Sequence, residues 1–136
     1  LGDRASKGGT TLEDRWEQIM HKEVAASIHA VRGEADDAIR LMDGALEILA
    51  TMRPPRGSAE PVKPAYELYG ELLLELDQPA DAIEKFQASL LRLPSRPRSL
   101  LGLARAFERI GDQAGAEEQY QKLSDVWGDR ESFTRL

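Results

Sequence analysis

The sequence predicts an all-α protein of three antiparallel helix pairs stacked side by side. Three observations carry that expectation. Between residues 12 and 127 no stretch alternates apolar and polar residues, and the helix formers Ala, Leu, Glu, Lys, Gln and Arg dominate. Glycine and proline divide this region into six stretches, near 12–31, 35–52, 64–77, 80–92, 97–110 and 113–126. The second and third pairs repeat one pattern of small and large residues at a constant offset of 34.

The boundaries follow from backbone chemistry. Gly33 and Gly111 stand where a helix ends in a positive φ, which glycine adopts at low cost. Pro79 and Pro97 open the fourth and fifth helices, where a missing amide donor leaves no bond unmade, and Pro64 does the same near the third. Thr11 and Ser95 are candidate N-caps. The connections within pairs are about three residues long, so paired helices run antiparallel.

In the first pair, Trp16 of "LEDRWEQI" is placed to seal the hairpin. Its positions fit the second pair at an offset of 44: Ala26 with Gly70, Gly33 with Asp77, Ala38 with Ala82. The extra ten residues fall in "RPPRGSAEPV", 53–62, where prolines stiffen the chain into a spacer or a flap over a groove. The second and third pairs match as Tyr66 with Leu100, Tyr69 with Leu103, Gly70 with Ala104, Leu73 with Phe107, Ala82 with Ala116 and Phe86 with Tyr120. Small residues let backbones approach, and large ones fill the space around the contact. One hairpin cannot bury this set, whereas stacked hairpins can, which is the logic of a solenoid.

These residues resemble the tetratricopeptide repeat family. Its pattern appears as Tyr66, Tyr69-Gly70, Leu73, Ala82, Phe86 and Pro94, then as Leu100, Leu103-Ala104, Phe107, Ala116 and Tyr120, ending in Gly128 where proline is usual. The first unit is degenerate, with His29 at the aromatic position and Met42 in place of Phe86. The stretch "KPAYELYGELLLEL" is also similar to terminal repeats of longer bacterial repeat proteins. The resemblance implies a right-handed superhelix over 12–130, with hairpins 12–52, 63–94 and 97–128, after a lead-in 1–11 and before a tail or cap 131–136. It implies a protein- or peptide-binding groove lined by the first helix of each pair. Carried over, the groove positions are Glu23 and Ser27, then Glu67, Glu71 and Glu75, then Arg98, Leu101, Arg105 and Arg109.

The charges in that set are informative. Glu67, Glu71 and Glu75 recur every four residues and form one row. Glu71 aligns with Arg105 and Glu75 with Arg109, so the rows either pair with each other or present opposite walls to a ligand. Arg98 aligns with Pro64, has no acidic counterpart there, and is the candidate for a free anion contact. One subclass of the family clamps a C-terminal carboxylate. The corresponding positions here, Glu23, Ser27 and Gly102, argue against that clamp.

Other classes of function find little support. The formal charge of -6 repels phosphate, so no nucleic-acid partner is expected. No apolar run is long enough for a membrane span, and no cysteine is present for disulfides or thiolate metal sites. Nucleophile elbows, phosphate loops and metal-ligand clusters are missing, so neither catalysis nor a cofactor is expected. His21 and His29 are separated by about 12 Å of helical rise and about 80° of rotation, so they cannot share one ion. His21 is expected in an i,i+4 surface pair with Glu17, and His29 as a packed or capped core residue.

Trp127, Phe133 and Leu136 are expected either to fold back as a cap or to pair with another copy, which makes a homo-oligomer the alternative reading. In that alternative the chain is the C-terminal, structural part of a larger repeat protein. The chain opens on Leu1, which suggests processing or a longer parent. A soluble, cytoplasmic protein is the default expectation, with the periplasm left open.

Overall fold

A computed structural model describes residues 12–52 and 64–134. Its elements are α1 (Leu12–Val31), α2 (Ala35–Ala50), α3 (Ala65–Glu75), α4 (Pro79–Arg92), α5 (Pro97–Ile110) and α6 (Gln113–Thr134). The expected all-α class holds, and the helices pack in adjacent pairs. No described helix is long and apolar enough to cross a membrane. The chain divides into two compact units at the boundary between Ala65 and Tyr66.

In the first unit α1 and α2 meet along alanines. Ala26, Ala38 and Ala45 are at most 1% exposed, and Met42 and Ile19 fill the space beside them. Trp16 is half-buried in this hairpin. Gly33 takes φ 76 at the turn, where its amide reaches Ala30 O at 3.0 Å and the Glu34 amide reaches His29 O at 2.9 Å. Those two bonds satisfy carbonyls that the end of α1 leaves open.

The same pair of bonds closes α3 and α5. Gln78 N reaches Leu73 O at 2.8 Å, and Asp112 N reaches Phe107 O at 2.9 Å. Gly111 has φ 86, as expected, and among the described residues Asp77 is the one positive-φ residue that is not glycine, at φ 61. Pro79 and Pro97 open their helices, as expected. Pro64 immediately precedes α3. Ser95 does not cap α5: Arg96 holds that position, without a side-chain cap bond. Thr11 lies outside the described residues, as do the lead-in and the linker 53–62.

The core of the second unit is built around Phe86 on α4, which is fully buried. Its ring faces Gly70 of α3 on one side and Gly102 of α5 on the other, and at either glycine a β-carbon would collide with it. Burying such a ring contributes about 2–3 kcal/mol. Tyr69, Leu73, Leu100, Leu103, Ala82 and Ala116 complete the apolar interior, as the repeated pattern requires. Two cations of α4 cover α3 tyrosines, Lys85 over Tyr69 at 4.8 Å and Arg92 over Tyr66 at 5.6 Å.

The end of α6 departs from expectation. The helix runs to Thr134, through Gly128 and past the end expected near residue 126, and Phe133 lies within it. A single glycine costs an α-helix about 1 kcal/mol, which is not enough to end it where no proline follows. Trp127 is 47% exposed on this helix, and Leu136 lies outside the described residues.

Candidate functional site

Side chains of α3 and α5 enclose a recess of about 480 Å³ in the second unit. Glu71, Leu74 and Glu75 come from α3, and Arg98, Leu101, Gly102, Arg105 and Arg109 from α5. Spacing produces this lining. Residues 71, 74 and 75 fall on one helical face, as do 98, 101, 102, 105 and 109, because three- and four-residue steps keep a side chain on one stripe. The recess therefore gathers Glu71, Glu75, Arg98, Leu101, Arg105 and Arg109 of the expected groove. It adds Leu74, which the expected groove did not include, and Gly102, expected only as a position equivalent to the carboxylate clamp.

Arg98 is not a free anion contact. Its Nε lies 3.2 Å from Glu71 Oε2. Arg105 and Arg109 are the expected partners of Glu71 and Glu75 only through their equivalence in the repeat. Equivalent positions on parallel helices need not face each other, and the long Arg98 side chain reaches a residue 27 positions earlier. Arg109 donates from Nη1 to Leu74 O at 2.6 Å, serving a carbonyl near the end of α3. Among the described residues, Arg105 and Glu75 form no side-chain hydrogen bond or ion pair.

Glu67 is buried and does not reach the recess. Its Oε2 accepts from Ser99 Oγ at 2.8 Å and from Arg96 Nε at 2.7 Å, and Oε1 accepts from Arg96 Nη2 at 3.2 Å. Ser99 spends its proton on this carboxylate, so Ser89 Oγ, 2.8 Å away, donates to Ser99. The chain Ser89–Ser99–Glu67–Arg96 joins α4, α5 and α3 at one end of the recess. Burial of a carboxylate is tolerated only with such partners. The signal available in the sequence was two serines, 89 and 99, on otherwise apolar faces.

Glu23 and Ser27 belong to α1 in the first unit. Ser27 Oγ donates to the Glu23 carbonyl oxygen at 2.8 Å, a bond within the helix. His21 and Glu17 form the expected surface pair, with Nε2 3.8 Å from Oε1.

The electrostatics of the recess oppose those of the chain. Its lining carries three arginines and two glutamates, whereas the whole chain carries -6. Leu74 and Leu101 provide an apolar strip between the charges.

Residues 69–128 match the family model of the tetratricopeptide repeat. No curated protein and no solved structure matches the chain. Tetratricopeptide repeats are generally protein-interaction or scaffold modules and typically non-catalytic. The matched span holds most of the two hairpins that share the 34-residue offset, the Phe86 contact with two glycines, and the recess itself, so the likeness to the tetratricopeptide repeat falls on the residues that build the site.

Proposed function

We propose that the chain is a non-catalytic protein- or peptide-binding module, and that the recess between α3 and α5 holds the bound segment. The observation that carries this reading is the residual charge of the recess. Arg98 and Glu71 neutralise each other, which leaves Arg105, Arg109 and Glu75 around the leucine strip. That arrangement suits a segment with an apolar side chain between an acidic residue and a basic one, the acidic residue facing Arg105.

Selection from a displayed peptide library tests it. Enriched sequences should carry an acidic residue beside an apolar one, and Arg105→Glu should abolish their binding while the fold, followed by circular dichroism, persists. Undiminished binding by Arg105→Glu sinks the recess as the site.

Self-association is the second reading, favoured by exposed apolar residues. Met20, Val24, Ile28 and Val31 on α1 are between 48% and 77% exposed, and Trp127 on α6 is 47% exposed. Light scattering across a concentration series separates the two: a constant monomer mass removes the self-association reading.

A further inference from the structure

We infer that the turn between α1 and α2 is a binding site for a divalent transition-metal ion of the zinc or nickel class, held by His29, Glu34 and Asp37. One donor atom from each of the three lies within 4.8 Å of the others. His29 Nδ1 is 2.7 Å from Glu34 Oε1 and 3.9 Å from Asp37 Oδ2. Around a tetrahedral ion with bonds of about 2.0–2.1 Å, donors stand about 3.3 Å apart. The observed separations bracket that value. Glu34 and Asp37 are 44% and 40% exposed, so small carboxylate rotations suffice to close the set.

The repeat itself supplies an independent argument. Position 29 corresponds to Leu73 and Phe107 in the other hairpins, where the packing pattern takes an apolar residue, and Leu73 is 2% exposed. Only the first hairpin puts an imidazole there. Position 34 corresponds to Gln78 and Asp112, and position 37 to Asp81 and Gly115. The departure from the apolar pattern thus coincides with two carboxylates on the facing turn. Glu34 also stands at the N-cap of α2 but makes no side-chain cap bond, because its carboxylate turns to the imidazole instead of to the amides of its own helix.

The backbone fixes this geometry. Gly33 and the hydrogen bond from the Glu34 amide to the His29 carbonyl lock the turn, so the imidazole and the carboxylates start close together. One imidazole with two carboxylates suits zinc, nickel or cobalt better than calcium or magnesium, which prefer all-oxygen shells. Arg40 opposes the ion: its guanidinium pairs with Asp37 and must release it.

The test uses the whole chain and chloride salts of the metals in calorimetric titration, with the thermal midpoint as a second readout. Zinc or nickel should bind with one equivalent per chain and raise the midpoint, since a ligand of the native state stabilises it. Calcium and magnesium should not. His29→Gln should abolish the binding, and Arg40→Ala should tighten it severalfold by freeing Asp37. His21→Gln, on the exposed pair with Glu17, should leave it unchanged. No heat and no midpoint shift with millimolar zinc or nickel would overturn the site. So would binding that survives His29→Gln but is lost in His21→Gln.

Discussion

Ser99 on α5 donates its hydroxyl to Glu67 on α3 at 2.8 Å inside the protein, and Arg96 grips the same carboxylate through Nε and Nη2. Glu67 is fully buried and Arg96 is 29% exposed, so this pair lies between a surface bridge and a core one. Removing the arginine leaves a buried carboxylate without its opposite charge, although the Ser99 hydroxyl still donates to it. Arg96→Ala should cost about 2–4 kcal/mol in urea unfolding. Arg96→Lys should restore only part of that, because a point charge cannot make both bonds of the planar guanidinium. A loss below about 0.5 kcal/mol for Arg96→Ala would place Glu67 in contact with water, like an ordinary surface pair.

Much of this architecture was legible in the residues. The helix ends at Gly33 and Gly111 and the starts at Pro79 and Pro97 are set by local backbone chemistry, and local chemistry is what a sequence displays. The small-large pattern placed Ala82, Ala104 and Ala116 in the interior for the same reason. The charges were harder. Glu67 has the spacing of an exposed glutamate row, but it lies beside the chain entering α5, where Arg96 and Ser99 draw its carboxylate inward. A periodicity of four records which residues share a face and not what that face meets. Arg98 pairs with Glu71 where the alignment shows no acidic counterpart, because repeat alignment gives equivalence between helices and leaves open which side chains touch.

Asp77 holds φ 61 where Gly33 and Gly111 hold φ 76 and 86. A β-carbon in this region crowds the adjacent carbonyl, less severely for aspartate than for most residues. Asp77→Gly should therefore raise stability by about 0.5–1 kcal/mol. The reverse change, Gly111→Ala, should lower it by about 1 kcal/mol. No neighbouring atom lies within 4 Å of a β-carbon built at Gly33 or Gly111, so the penalty there comes from backbone conformation alone. Midpoints from thermal melts of the two variants decide it, and a destabilised Asp77→Gly would show that the aspartate side chain contributes more than its strain.

Tyr120 donates its hydroxyl to Glu108 at 2.6 Å. That hydrogen bond, and then desolvation and the glutamate's charge, push the phenol above its ordinary value of 10.0, against a smaller opposing effect of Arg105. The bonded phenol is favoured in the folded state and less so in the unfolded chain. Its stabilisation is therefore complete below the unfolded value and disappears as pH rises through the higher folded one. Tyr120 is 37% exposed, so the effect is modest. Ultraviolet difference titration of the wild type against Tyr120→Phe should isolate one phenol ionising above 10.0. The stability gap between the two proteins should narrow at strongly alkaline pH. A phenol that ionises at or below the ordinary value would contradict the Glu108 bond.

Phe86 sits between two glycines, and that leaves its ring nowhere to go. A methyl at Gly70 would fall 2.8 Å from Cζ of the ring, and one at Gly102 would overlap the ring from the α5 side. A flexible side chain struck at its tip swings away at little cost, but here each glycine blocks the escape from the other. Gly102→Ala should destabilise by about 1–3 kcal/mol, the usual range for overpacking. Phe86→Leu opens space at both contacts, and on its own it should cost a comparable amount through lost burial. Combined with Gly102→Ala, its effect should be less than additive, because the smaller side chain accommodates the new methyl. Guanidinium unfolding of the two single variants and the double variant measures the coupling. Strict additivity would mean that the ring relaxes past Gly102, and the close helix approach would then not depend on the absence of a β-carbon there.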